Sequence, residues 1–122
     1  MNVLRNRVEL WFTVLCALPW LAIIAAYTEA CFAWAILSHW PRPNLDDPKA
    51  IAIGSIHLVW QVLMISLIPA GILLGAVAAR NWRRVVQHRP YSVRLGVFAV
   101  GLVLVQVLSR FDPGRVWVWL AD

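Results

Sequence analysis

Apolar residues run along this chain in three long blocks, separated by short polar stretches and without the alternation that marks strands. The first block is apolar from Leu10 through Tyr27 and continues past Glu29 to Leu37. The second runs from about Ala50 to Ala79. The third extends from about Leu95 to Leu108, which is short for a crossing and is expected to begin in the preceding connector or run on to Phe111. A bilayer crossing takes about 20 apolar residues. The pattern therefore predicts an all-α membrane protein with three transmembrane helices, at about 10–37, 50–79 and 95–111, in a single domain of residues 1–122. Pro19 and Pro69 are expected to bend the first two helices, which membrane helices tolerate. Arg5 and Arg7 precede the first block as they would in a signal peptide. Its run of about 18 residues before an acidic one is too long for a signal h-region, so an anchor is expected.

The polar stretches predict the connections. Residues 38–49, SHWPRPNLDDPK, form a Pro-rich loop in which Asp47 followed by Pro48 reads as an N-cap and first helical position. The second span ends in Arg80-Asn81-Trp82-Arg83-Arg84, and the connector through Arg94 holds five arginines and His88. Asp112-Pro113-Gly114 reads as a turn. The tail Val116-Trp117-Val118-Trp119-Leu120 is expected to lie in the membrane interface.

Helices in lipid lack a hydrophobic force between them and pack closely through small residues at helical spacing. The first helix has such a face in Ala22, Ala25, Ala26, Ala30 and Ala33. In the second, Gly54, His57, Gln61, Met64, Gly71 and Gly75 fall in one sector of about 100°, and the third places Ala99 and Gln106 together. Polar membrane residues thus share faces with small ones: Glu29 with the alanines, His57 and Gln61 with the glycines. Packing is expected through Ala22, Ala26, Ala30, Gly71 and Gly75, in a compact bundle or a bundle docked on a partner.

Composition agrees with the pattern: 61% of residues are hydrophobic and 14% charged, where a soluble domain has roughly 25% charged. Mean hydropathy is +0.71. The net charge of +5 comes from ten arginines and one lysine against six acidic residues. The basic residues lie beside apolar spans, where they set topology and meet anionic lipid, so no nucleic acid is expected. Arg5, Arg7, Arg80, Arg83, Arg84, Arg89 and Arg94 fall on one side. Arg42, Lys49, Arg110 and Arg115 fall on the other, offset by Asp46, Asp47, Asp112 and Asp122. The positive-inside rule then predicts the N-terminus in and the C-terminus out, and the arginine-rich usage suggests a bacterial inner membrane.

The candidate chemistry is sparse. Glu29 stands about 12 Å of helix rise from Leu37 and His57 about 13 Å from Pro48, so the two are expected in one layer, with Gln61 and Gln106 nearby. Such a set suits a proton or ion relay, a quinone headgroup site or a pigment ligand. Against this, Leu10–Thr28 and Leu58–Ala79 can each span without either residue. That would leave Glu29 and His57 interfacial, or joined by a structural hydrogen bond worth about 1 kcal/mol. Two-histidine haem ligation would need a second imidazole at the depth of His57, and His39 and His88 lie in the loop and the connector.

Of the eight tryptophans, Trp11, Trp40, Trp82, Trp117 and Trp119 fall where interfacial belts belong, while Trp20, Trp34 and Trp60 are expected to be lipid- or partner-facing bulk. Arg80, Arg83, Arg84 and Arg89 are expected to face lipid or a partner. Cys16 and Cys31 are separated by roughly 22 Å of one helix, beyond disulfide reach. No metal-ligand spacing, phosphate loop or activated nucleophile is present, and no enzymatic activity is predicted. The acidic pair beside Asn44 reads as capping rather than as a cation site.

The loop HWPRPNLDDPKAI, residues 39–51, resembles small bacterial membrane proteins in which His-Trp-Pro and Asp-Pro-Lys flank a short extracytoplasmic loop. That resemblance covers about a tenth of the chain and implies no activity. Small multidrug transporters share the length and a membrane Glu in the first helix but have four spans. The three-span topology is also similar to the haem-bearing anchors of succinate dehydrogenase, which carry a ligand His in the second helix, as His57 would be. Arg80-Asn81-Trp82 stands where those anchors have Asp-Tyr. The expected function is that of an accessory subunit of a larger membrane complex, partnered by lipid and by other membrane subunits or by itself. The alternatives are a pigment-, haem- or quinone-associated anchor using His57 and a proton- or ion-conducting oligomer using Glu29 and His57.

Overall fold

The computed structural model describes residues 2–47 and 54–121, which form helices joined by short turns, with no strand among them. The order is α1 (Asn2–Leu37), α2 (Gly54–Arg80), α3 (Trp82–Gln87), α4 (Arg89–Phe111), a 3-10 turn (Pro113–Arg115) and α5 (Val116–Ala121). Three stretches, Asn6–Leu37, Ser55–Arg80 and Arg89–Phe111, are long and apolar enough to cross a membrane. The shortest, of 23 residues, rises about 34 Å, enough to span a hydrocarbon core of about 30 Å.

Several boundaries differ from expectation. The first helix starts at Asn2 rather than near Leu10, because no Pro or Gly interrupts the polar lead-in. The third span gains its missing length by starting inside the connector at Arg89, with Pro90 in its first turn. The connector also holds a six-residue helix, α3, set off from α2 at Asn81. The Asn81 side chain donates to the Val77 carbonyl at 3.1 Å at this junction. The Asp47-Pro48 helix start, the first residues of the second span from Ala50, and Lys49 and Asp122 lie outside the described residues.

Helix α1 is the centre of the bundle, and α2 and α4 both pack along it. Of its alanine face, Ala22, Ala26, Ala30 and Ala33 have no exposed surface, and Ala25 is half-buried. The face of α2 departs from expectation. His57, Trp60, Leu67, Ala70 and Leu74 are buried, Gly71 is half-buried, and Gly75 is exposed with nothing near the position of a Cβ. The alanines of α1 leave space that Trp60 and Leu67 of α2 fill, and Ala70 adds one buried small residue from α2 itself.

The face of α4 is rotated from the expected one. Phe98, Gly101 and Val105 are buried, whereas Ala99 and Gln106 are exposed. Gly101 sets this rotation: a Cβ there would lie 2.8 Å from Trp20 Nε1 and 2.9 Å from Pro19 Cγ. The Trp20 indole lies along α4 and donates to the Val97 carbonyl at 3.0 Å. The buried Pro19 ring seats in the glycine notch, and α1 runs through it as continuous helix.

The tail is not an exposed interfacial segment. Asp112 ends α4 with φ 37°, and Gly114 and Arg115 follow with φ of 80° and 57°. This turn reverses the chain and lays α5 back against α1 and α4. Trp119 is 0% and Trp117 6% exposed, in a core with Ala26, Ala30, Ala33 and Trp60. The alanines leave room that only a large side chain fills, and the turn delivers two tryptophans to it. Trp60 is buried for the same reason, not lipid-facing.

Gly101→Ala should lower bundle stability by about 1–3 kcal/mol through overpacking. Gly75→Ala should leave it unchanged or slightly raised, since alanine gains about 0.5–1 kcal/mol over glycine inside a helix. Thermal unfolding of both variants in the same detergent checks the contrast.

Candidate functional site

Glu29 lies on the alanine face of α1, between Ala26 and Ala33, and is fully buried. His57 enters from the first turn of α2 at 4% exposure. Its Nδ1 stands 3.0 Å from Glu29 Oε1. Gln61, one turn further along α2, brings its amide nitrogen to 2.9 Å from His57 Nε2. With that amide donating, Nε2 is the acceptor and the Nδ1 proton points at the carboxylate. Three of the four polar residues expected in one layer are thus joined in a short chain. Gln106 is left out: it faces outward, and only its backbone carbonyl is engaged, by the Ser109 hydroxyl at 2.9 Å.

Aromatic rings close the side nearest the C-terminal turn. Trp60 lies beside the imidazole, with ring centroids 5.8 Å apart, and Trp117 meets Trp60 edge-on at 6.0 Å. Asp112 anchors this cover by accepting the backbone N–H groups of Trp117 and Val118 at 2.8 and 2.9 Å. Two indoles bind it to the loop after α1. Trp119 Nε1 donates to the Asp46 carbonyl at 2.6 Å, and Trp40 Nε1 donates to the Gly114 carbonyl at 2.6 Å. The Asp46 carboxylate accepts the Arg42 backbone N–H at 2.9 Å, closing that loop on itself.

This geometry restricts the chemistry. From Gln61 toward Arg80 the interior is apolar, with Leu67, Ala70, Leu74, Cys16 and Phe98 buried there. About 28 Å of α2 rise separates Gln61 from Arg80. A proton passing along the chain would stop at Gln61. Glu29 and His57 are enclosed by their own bundle. Both ring nitrogens of His57 are engaged, so axial ligation would require Gln61 or Glu29 to move away. No group of three metal-binding side chains occurs among the described residues. What the chain of contacts does well is clamp α1 to α2. Some capacity is unused: Oε2 of Glu29, Nε1 of Trp60 and Trp117, and the Tyr27 hydroxyl are buried without a hydrogen-bond partner among the described residues.

The remaining candidates are surface features. Arg80, Arg83, Arg84 and Arg89 are exposed, as are Trp82 and Trp40 at 64% and 40%. Sequence reasoning missed Trp60, Trp117 and Trp119 as the walls of the polar layer, and Asp112 as the cap of its cover. For Trp60 a signal was present, since it follows His57 by three residues on the same helical face. In comparisons with protein families, with curated proteins and with solved structures, the chain matches none.

Glu29→Leu and His57→Leu each strand the other partner in the interior, whereas the double variant removes both. A double-mutant cycle measured by reversible unfolding in detergent or bicelles should give a coupling of about 1–2 kcal/mol for a neutral pair. Breaking an ionised pair should cost about 3–5 kcal/mol in a single variant. Additive single effects would mean that the contact does not clamp the helices.

Proposed function

We propose that this chain is an accessory subunit of a larger bacterial inner-membrane complex, stabilising or positioning a catalytic partner. The observation that carries this reading is Gln106. Its amide projects from the exposed face of α4, about 7.5 Å of helix rise below the end of that helix at Phe111. An amide left in hydrocarbon is costly, and a facing helix that accepts and donates hydrogen bonds removes the cost. Gly96, Ala99 and Val103 continue the exposed stripe toward the other end of α4. Gly96 and Ala99 are small residues of the kind that allow a second helix to approach closely.

The polar trio supports the same reading. It ends inside the bundle, as a clamp does and a conduit does not, and the clamp keeps the outer surfaces rigid for docking. By the positive-inside rule, the N-terminus and the Arg-rich connector face the cytoplasm, with the loop of residues 38–49 and the C-terminal cover on the far side.

Gentle extraction from native membranes should yield the chain in a defined assembly larger than one copy with detergent, and mass spectrometry should identify the co-migrating subunits. Gln106→Leu should shift much of the chain to the free form while leaving its helical content intact. A wild-type chain that migrates alone would overturn the subunit reading. An undiminished assembly with Gln106→Leu would remove α4 as the docking face.

A further inference from the structure

We infer that the inner end of the bundle holds an anionic phospholipid, in the cleft between α1, α2, α3 and the start of α4. The cleft measures about 500 Å³. Its floor is apolar, made by Phe12, Val77 and Leu95, and its rim is polar, made by Asn81, Arg84 and His88. Phe12 and Tyr91 stand edge to face, 5.6 Å between centroids, and His88 meets Tyr91 edge-on at 6.3 Å. Ordered aromatic contacts thus run from the apolar floor to the polar rim.

A second groove adjoins the first and shares Asn81 and Arg84 with it; Arg80, Trp82 and Arg83 also line it. Arg84 therefore stands at the junction of an apolar compartment and a cationic one. This is the division that a phospholipid makes between acyl chain and phosphate. Depth agrees with it, because Val77 lies about 4.5 Å of helix rise inside Arg80, the last residue of α2. An acyl chain in the cleft would then leave its phosphate level with the arginines.

Charge selects the lipid class. Arg80, Arg83, Arg84, Arg89 and Arg94 make no ion pair among the described residues. Glu9 is the one carboxylate lining the cleft. The cationic excess favours a headgroup with net negative charge over a zwitterionic one, and Arg offers planar, forked donors to phosphate oxygens. Basic pockets between membrane helices take anionic headgroups by this chemistry.

The test is native mass spectrometry of the full chain in detergent with equimolar dioleoyl phosphatidylglycerol and dioleoyl phosphatidylcholine. Phosphatidylglycerol should remain bound preferentially. Arg84→Gln should weaken its retention about fivefold, the effect of one basic contact. Arg83→Gln, outside the apolar cleft, should weaken it less, and Arg84→Lys should recover part of the loss. Val77→Trp keeps every charge but fills the floor, and should reduce retention as well. Equal retention of the two lipids, equal effects of Arg83→Gln and Arg84→Gln, or undiminished retention with Val77→Trp would each overturn the site. Circular dichroism establishes that the compared variants keep their helix; were Arg84→Gln to lose it, the Val77→Trp result and the two-lipid comparison still decide.

Discussion

A carboxylate buried in a membrane bundle has no water to turn to, and Glu29 imposes that constraint on everything around it. Its burial is cheap only where another polar group reaches it, and His57 does so across the α1–α2 contact. The imidazole in turn needs a partner for its second nitrogen, which Gln61 supplies from the next turn of the same helix. The alanines flanking Glu29 permit this approach, because a larger side chain at Ala26, Ala30 or Ala33 would hold α2 and the tail away. Small residues and polar residues share one face for a single reason: the polar contact needs the close approach that the small residues allow.

That arrangement leaves a hollow above the trio, and the C-terminal segment fills it. The turn at Asp112 does two jobs with one residue. Its left-handed backbone ends α4, and its carboxylate then receives the first free N–H groups of α5. Gly114 is required beside it, since its φ is 80° and a Cβ there would press on the Trp40 ring at 3.1–3.3 Å. The Trp40 and Trp119 indoles then tie cover and loop together in both directions. Two segments that look unrelated in sequence, one rich in proline and one in tryptophan, form a single cap at one end of the bundle.

Much of this was legible beforehand, and the limits follow from physics. The three spans, the alanine face and the common depth of Glu29 and His57 depend on helical rise and on apolar length, both of which a sequence carries directly. The azimuth of α2 and α4 does not. Small residues at helical spacing identify a face able to pack, but whether it packs depends on what the neighbouring helix presents. On α2 the contact falls on His57, Trp60, Leu67, Ala70 and Leu74, so Gly71 is only half-buried and Gly75 is exposed. Gln106 failed in the same way, being polar like the trio but on the far side of a helix whose rotation is set by Gly101 against Pro19. The tail was misplaced because tryptophan near a membrane edge suits an interface and a core equally well. Only the turn at Asp112, Gly114 and Arg115 decides between them.

The two ends of the bundle therefore satisfy their polar groups in opposite ways. At the end capped by α5 the hydrogen bonds run largely within the chain, through Asp46, Asp112 and the indole donors, and the structure closes on itself. At the opposite end the arginines of α3 make no ion pair among the described residues. Exposed arginines beside an apolar span stay in reach of water and of the negative charge of the membrane surface, so this end does not have to close on itself. The clamp at Glu29 is joined by the apolar packing of Ala70 and Leu74 with Cys16 and Phe98, so polar and apolar contacts together hold α2 along its length.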